Sequence, residues 1–264
     1  MSGPPEDARL VLALDGSRDL GVLEPDGSVR RVSAGGYARF PAARPGGGLA
    51  YVAITDAPGE WQVVVVVLDE RFEPIDMLSG AAVFAPPSWS EDGSSLVFLR
   101  GDSLHAEAVE WTAEDGSFRT LIDAAGLRSA VRTSPTALLY SAGGEVLLRD
   151  GTAAGERVAV IPAAAGFREF GSDDLFATID QLSVSPDGTI AAVERWYRQG
   201  IAPNERIVLV ADGALDQGAL GRFPRWASDG RLLYTSETGE AVIRDSPPVD
   251  VADDMVSHSA EWLS

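Results

Sequence analysis

The sequence predicts an all-β protein, a six-bladed β-propeller of four-stranded antiparallel blades that occupies residues 1–264 as a single domain. Three observations support this prediction. A short phrase ending in a hydrophobic strand recurs at intervals of about 40–50 residues, which is typical of propeller blades. Asp-Gly turns separate short apolar runs, as they do in β-hairpins. The two ends of the chain together supply one further repeat, so the ring can close on itself.

The recurring phrase consists of an apolar residue, a small polar residue, an Asp-Gly turn and a short strand ending in an aromatic residue. It is clearest at residues 87–98, which read Pro-Ser-Trp-Ser-Glu-Asp-Gly-Ser-Ser-Leu-Val-Phe. Further copies stand at residues 184–190 and 226–234, and weaker ones at 41–51 and 132–140. Three tryptophans share one position of the phrase, so we interpret them as core residues packed between blades: Trp89, Trp226 and Trp262.

The end of the second strand serves as a register mark in each unit. The six marks are Leu12, Tyr51, Phe98, Tyr140, Val193 and Tyr234. Successive marks are 39 to 53 residues apart, and the 30 residues after Tyr234 together with the first 12 make 42, the length of one more unit. We therefore expect residues near Trp262 to pair with Leu10–Ala13 in one blade. Such pairing removes the open sheet edges that invite aggregation.

The phrase at residues 87–98 resembles the repeat of the TolB-type propellers, also called the WD40-like PD40 repeat. The resemblance covers nearly the whole chain in six units, whereas the Gly-His and Trp-Asp dipeptides of true WD40 repeats are absent. It implies a six-bladed propeller in which Trp-Ser ends the innermost strand and Asp-Gly turns into the second strand. The family's uses include protein docking at the cell envelope, peptide gating in front of a peptidase, and ligand binding.

Composition restricts the possible partners. The chain has 40 acidic and 21 basic residues and a net charge of −19, so we expect neither nucleic acid nor an anionic membrane surface as a partner. No stretch approaches the ~20 apolar residues of a membrane span, so we expect no membrane insertion. The absence of cysteine excludes disulfides and thiolate sites. Because residues 1–7 do not form a signal peptide, we expect a cytoplasmic monomer, or an exported one if a leader has been removed.

Candidate binding residues lie where the repeat is interrupted, because loops on a rigid scaffold commonly carry function. Two segments of the fifth unit are predicted to be loops at the mouth of the channel opposite the Asp-Gly turns, namely residues 162–181 and 194–200. Aromatic and arginine side chains in both are suited to recognition. The candidates are Phe167, Arg168 and Phe170 in the first, and Arg195, Trp196, Tyr197 and Arg198 in the second. Alternatively, Trp196 and Tyr197 fill the space beneath the neighbouring loop.

Shorter loops at the same mouth add further candidates, which are Tyr37, Arg39, Arg128, Arg222 and His258. Arginines at the mouth of an acidic body would attract an anionic ligand such as a carboxylate. The alternative is that each arginine pairs with a neighbouring Asp or Glu.

The sequence shows no catalytic or metal-binding constellation. Only two histidines are present, no Gly-x-Ser-x-Gly motif occurs, and the run Gly46–Gly48 lacks the Lys-Ser/Thr of a phosphate-binding loop. We interpret Asp92, Asp187 and Asp229 as turn formers rather than calcium ligands. We expect no cofactor and no metal.

The sequence therefore favours a non-catalytic binding or scaffold protein that recognises a peptide, a protein segment or a small anionic ligand at one mouth of the ring. The alternatives are an enzyme, a hydrolase or lyase with its active site in the central channel, and a purely structural role in an assembly.

Overall fold

The computed structural model describes residues 9–14, 19–33, 37–57, 60–102, 105–142, 144–151, 155–160, 176–198, 201–212, 214–246, 249 and 257–263. Strands joined by turns make up these ranges, and none of their segments is a helix that could cross a membrane. Twenty-two strands, numbered in chain order, pair into antiparallel sheets.

The described strands form five sheets, four of them with four strands, as expected for propeller blades. One contains β1 (Arg9–Leu14), β2 (Asp19–Leu23), β3 (Val29–Ser33) and β22 (Ser257–Leu263). The next contains β4 (Tyr37–Ala43), β5 (Leu49–Ala57), β6 (Glu60–Leu68) and β7 (Pro74–Ser79). A third contains β8 (Ser88–Trp89), β9 (Ser95–Gly101), β10 (Ala106–Thr112) and β11 (Phe118–Asp123). The fourth contains β12 (Leu127–Arg132), β13 (Ala137–Ala142), β14 (Glu145–Asp150) and β15 (Glu156–Val160).

The fifth sheet has six strands where the sequence predicts two separate blades. It contains β16 (Phe176–Val184), β17 (Ile190–Arg198), β18 (Ile201–Ala211), β19 (Ala214–Trp226), β20 (Leu232–Ser236) and β21 (Ala241–Ile243). The long strand β19 joins its two halves. Residues up to Leu220 pair with β18, and residues from Gly221 onward pair with β20.

The two ends of the described chain meet in one sheet. Strand β22 pairs antiparallel with β1, and Trp262 lies opposite Leu10. The predicted closure is therefore confirmed. The register marks agree as well, because each lies on the second strand of its unit: Leu12 on β1, Tyr51 on β5, Phe98 on β9, Tyr140 on β13, Val193 on β17 and Tyr234 on β20.

The Asp-Gly turns form as predicted. The carboxylate of Asp92 accepts hydrogen bonds from the main-chain N–H of Ser94 and from the hydroxyls of Ser90 and Ser94. These bonds, the main-chain one first, lower the pKa of Asp92 to about 2. Gly93 has a φ of +67°, which a glycine adopts without steric cost. The aspartate is therefore a turn former, and it shapes the exit from strand β8.

The core lies between neighbouring sheets, as the phrase tryptophans predict. Trp89 is buried and contacts Trp111 edge to face with ring centroids 6.4 Å apart. Its Nε1–H donates to the carbonyl oxygen of Ala42 on the preceding sheet, at 3.1 Å. Trp226 and Trp262 are only half-buried, so the core prediction holds most fully at Trp89.

Hydrogen bonds also join the first strand of each unit, which we call the inner strand, to the next inner strand around the ring. The inner strands are β4, β8, β12, β16, the second half of β19, and β22. Serine hydroxyls accept most of these bonds from main-chain N–H groups, namely Ser259 from Phe40, Ser88 from Arg132, Ser129 from Leu182 and Ser183 from Trp226. Indole N–H groups donate two more, from Trp89 to Ala42 and from Trp262 to Arg225, and the Gln181 side chain accepts another from Phe223. The chain of bonds starts at β22 and returns to it.

Candidate functional site

The inner strands give the ring two distinct ends. Each inner strand leads through a turn into the second strand of its unit, so all inner strands run in the same sense around the central channel. We call the end where they begin the start face, and the end that carries turns such as Asp92–Gly93 the turn face. The sequence analysis places the candidate binding residues at the start face.

Three inner strands bulge at corresponding positions, and the bulges shape the channel. Phe40, Gln181 and Phe223 have φ values of 53°, 55° and 56°, a region that residues with side chains adopt uncommonly. The strand register shifts at each of them. The strained backbone is held by hydrogen bonds from neighbouring inner strands. Ser259 accepts from the N–H of Phe40 at 2.9 Å, and Gln181 accepts from the N–H of Phe223 at 2.8 Å.

Two of these bulges bring buried aromatic rings into contact. The rings of Phe40 and Phe223 lie 5.1 Å apart, centroid to centroid, in an edge-to-face arrangement. Each residue is only 3% exposed. Their strands β4 and β19 belong to sheets separated by the one that contains β22. Side chains from two sheets that are not neighbours therefore meet inside the ring of inner strands.

A buried ionic network lies on the start-face side of the aromatic pair. The Arg195 guanidinium contacts the Asp180 carboxylate, with Nη1 2.9 Å from Oδ2. Its Nε donates to Oε1 of Glu205 at 2.7 Å. Arg222, from the next unit, lies 3.8 Å from the other oxygen of Glu205. Strand alternation explains the grouping, because Asp180, Arg195 and Glu205 lie on one face of neighbouring strands β16, β17 and β18.

Asp180 is the most deeply buried member of this network. Its side chain is 1% exposed, and burial raises the pKa of its carboxyl above the usual range. The charges of Arg195 and Arg128 and a hydrogen bond from Thr178 act in the opposite direction. Its Oδ1 accepts no hydrogen bond from the part of the chain that the structure describes. Burial therefore disfavours the ionised form of this carboxyl, and the neighbouring arginines favour it.

The structure corrects the prediction of a loop at residues 194–200. Strand β17 extends to Arg198, and Arg195 lies inside it with a side chain only 14% exposed. Trp196 is buried, with the Arg206 guanidinium stacked 5.0 Å from its ring centroid. Arg195 is therefore paired with carboxylates, and Trp196 is buried. The end of the predicted 162–181 loop, from Phe176, is likewise strand β16.

Other predicted candidates lie at the start face in more exposed positions. Tyr37, at the beginning of β4, stacks on Trp61 with ring centroids 6.3 Å apart. Trp61 is 70% exposed and stands at the beginning of β6, so the two rings form an aromatic rim. Arg128 stacks over Phe84 at 5.1 Å, and Arg39 lies on β4 immediately before the bulge at Phe40.

The remaining candidates have no described side chains. Phe167, Arg168 and Phe170 lie outside the described residues. For Tyr197, Arg198 and His258 the structure places only the backbone, on β17 and β22. Sequence reasoning missed Asp180 and Glu205. An acidic residue within the strand of residues 176–184 is a signal that could have found Asp180, whereas Glu205 lies between Asn204 and Arg206 and gives no such signal.

The turn-face side of the channel holds a cavity of about 230 Å³, which residues of all the inner strands line. Arg225 pairs with Glu261 there, with Nε 2.8 Å from Oε2. Burial raises the pKa of Glu261 to about 7, although the charge of Arg225 lowers it. Arg132 pairs with Glu110 beside the same cavity. Both arginines therefore have a carboxyl partner.

Metal-binding geometry is not found in the described ranges, where no three His, Asp or Glu side chains come together as ligands would. Asp92, Asp187 and Asp229 each accept bonds from their own turns, which lower their pKa values.

Comparisons with solved structures place the fold among β-propellers. A crystal structure of TolB from Acinetobacter baumannii matches 97% of this chain with a TM-score of 0.70 at 17% identity, and this chain spans 66% of that one, a little less than two thirds. A chain in a nidogen/laminin complex matches with a TM-score of 0.64 at 12% identity, covering 97% of this chain and 98% of that one. A putative TolB from Agrobacterium tumefaciens gives 0.55 at 13% identity, covering 82% and 78%.

At these identities the likeness establishes a TolB-like propeller fold. The sequence matches no family model and no curated protein.

Proposed function

We propose that this chain is a non-catalytic propeller that binds a protein segment at its start face, through the aromatic rim of Tyr37 and Trp61. The observation that carries the proposal is the exposure of Trp61, a large ring that stacks on Tyr37 rather than packing in the core. Tryptophan, tyrosine and arginine dominate the binding energy of protein interfaces. An exposed, stacked aromatic pair suits an apolar anchor residue of a partner.

The arginines of the start face would supply the polar part of the same surface. Arg39, Arg128 and Arg222 stand on alternate inner strands, β4, β12 and β19, of a protein whose net charge is strongly negative. Arg222 belongs to the Asp180–Arg195–Glu205 network, which holds guanidinium groups in fixed positions. A partner with carboxylate groups would gain directional, charge-assisted hydrogen bonds there.

The fold comparisons are consistent with a protein partner in general. One similar chain comes from a nidogen/laminin complex, which is an assembly of two proteins. Propeller folds also host enzymes, so the fold alone does not select the function.

We also propose that the ring has six blades, with the six-stranded sheet counted as two. Three features support this count: the divided pairing of β19, the six register marks, and the cycle of hydrogen bonds through the inner strands.

The test immobilises the wild type, Trp61→Ala and Phe118→Ala, and compares the proteins that each one captures. Trp61→Ala changes the rim, and Phe118→Ala is the matched control because Phe118 is an exposed ring on the outer strand of another blade. We expect the same partner on wild type and on the control, with a strong loss on Trp61→Ala. Equal capture by Trp61→Ala would move the binding surface away from the start face.

The second candidate function is an enzyme with a carboxyl acid or base in the channel. The raised pKa of Asp180 favours it, because shifted carboxyls concentrate at active sites. In this case Asp180→Asn would abolish turnover while leaving partner capture intact. The binding proposal predicts instead that partner capture is lost in Trp61→Ala.

A further inference from the structure

We propose a second site, on the turn face between the first two sheets, that binds a phosphate group carried by a small molecule. A pocket of about 290 Å³ opens there, away from the start face and its aromatic rim. Four arginines line it, from β1, from β3, from the β4–β5 turn and from the β6–β7 turn: Arg9, Arg30, Arg44 and Arg71. Nothing in the proposed start-face function requires this site.

The glycine run of residues 46–48 explains how the turns come together. Gly47 and Gly48 have φ values of +115° and +88° and line the pocket. A Cβ at Gly48 would clash with the carbonyl oxygen of Leu68, and one at Gly47 would lie 3.2 Å from the Cβ of Glu70. Only glycine therefore lets the β4–β5 turn lie directly against the β6–β7 turn. This close approach brings Arg44 and Arg71 to one pocket.

Aromatic rings fix two of the guanidinium groups. Arg44 lies over the Trp89 ring at 4.9 Å, and its Nε donates to the carbonyl oxygen of Gly93 at 2.9 Å. Arg30 lies over the Phe72 ring at 4.9 Å. Stacked guanidinium groups keep their N–H edges in a set plane, which is the geometry that binds phosphate oxygens. The pocket is thus preorganised rather than formed by free surface side chains.

The charge of the pocket matches a dianion. Glu24 pairs with Arg9 and lies near Arg30, and Glu70 also lines the pocket. Four positive charges against two negative ones leave a net charge of +2. Within the described ranges, Arg44 and Arg71 form no ion pair, whereas most other arginines of this acidic chain contact a carboxylate. A phosphate monoester carries a charge of about −2 near neutral pH and has three acceptor oxygens.

The size of the pocket limits the rest of the ligand. At about 290 Å³ it lies at the lower end of small-molecule sites, so a short organic phosphate fits better than a nucleotide. In the neighbouring turn-face cavity, by contrast, each arginine has a carboxyl partner, Glu110 for Arg132 and Glu261 for Arg225.

The test is calorimetric titration of the whole chain with inorganic phosphate and, separately, with glycerol 3-phosphate, at low and constant ionic strength in chloride. We expect saturable one-to-one binding. Arg71→Gln should weaken it by about tenfold, since a charge-assisted hydrogen bond is lost. Arg71 is exposed and forms no ion pair with described residues, so this variant should fold. Arg157→Gln removes an exposed arginine on another sheet and should leave the affinity unchanged.

Tighter binding of glycerol 3-phosphate than of inorganic phosphate would support a phosphate ester as the ligand, and equal binding would support free phosphate. Three outcomes would overturn the site: no saturable binding of either probe, unchanged affinity in Arg71→Gln, or an equal loss in Arg157→Gln.

Discussion

Arg195, a binding candidate from the sequence, holds a structural position in the fold. Its guanidinium contacts Asp180 and Glu205, both largely buried, and so compensates two carboxylates inside the propeller. The sequence predicts the cation but not its partners, because the acids lie 15 and 10 residues away on adjacent strands. Those contacts depend on strand register, which local sequence patterns do not specify. Arg195 therefore belongs to the interior as much as to the surface.

Replacing Arg195 by alanine should destabilise the protein by about 3–5 kcal/mol, because Asp180 would remain buried without its direct cation. If Arg195 lay in an exposed loop, as predicted from the sequence, its replacement would leave the free energy of unfolding unchanged. Urea denaturation measures the difference. Arg157→Ala is the control, since its exposed pair with Glu145 should contribute less than about 1 kcal/mol. Equal effects of the two substitutions would show that Asp180 does not depend on Arg195.

Glu261 should make stability depend on pH in a defined window. Its pKa is raised from 4.5 to about 7 in the folded protein. Between these values the folded state holds a proton that the unfolded state has released, so the free energy of unfolding falls as the pH rises from about 4.5 to 7. This contribution amounts to about 3 kcal/mol at most.

The variant Glu261→Gln isolates this contribution, because it retains the size of the side chain and removes its titration. Unfolding free energies at pH 5 and pH 7.5 should fall more steeply in the wild type than in the variant. Parallel pH profiles would show that Arg225 holds Glu261 ionised throughout.

For strands and turns, the sequence predicts best the features that depend on residues close together in the chain. Asp92–Gly93 predicts its turn because the carboxylate bonds to its own neighbours. Sequence patterns do not predict the bulges at Phe40, Gln181 and Phe223, because bonds from other blades hold those positive φ angles. Residues 194–200 were predicted to form a loop because they interrupt the repeat, whereas strand β17 continues to Arg198. Pairing with β16 and β18 extends the strand instead.

The hydrogen bonds that indole groups donate between blades should contribute measurably to the free energy of unfolding. Trp89→Phe removes the bond from Nε1 to Ala42 and leaves a buried carbonyl without its donor, which should cost about 1–3 kcal/mol. Trp226→Phe is the matched control, because the Nε1 of Trp226 has no hydrogen-bond partner among the described residues. Thermal unfolding of both variants should show the larger loss at Trp89. A larger loss at Trp226 would contradict this account of blade contacts.

For the whole molecule, the pairing of the two chain ends sets how the sheets are arranged. The pairing of β22 with β1 joins the first and last described strands, and the inner strands pass hydrogen bonds around the channel. The start-face rim and the turn-face arginine pocket are then held on one rigid body. The sequence predicts this closure because the residues before the first register mark and after the last one add up to the length of one repeat.

The most direct test of the closed ring is a disulfide between its two ends. The chain contains no cysteine, and Arg9 lies opposite Leu263 in the β1–β22 pair, so Arg9→Cys with Leu263→Cys introduces the only two thiols. Paired strands bring such side chains within disulfide range. Mild oxidation followed by mass spectrometry should give an internally cross-linked monomer, whereas Arg9→Cys with Phe118→Cys should not. Free thiols in the first variant under the same conditions would contradict closure.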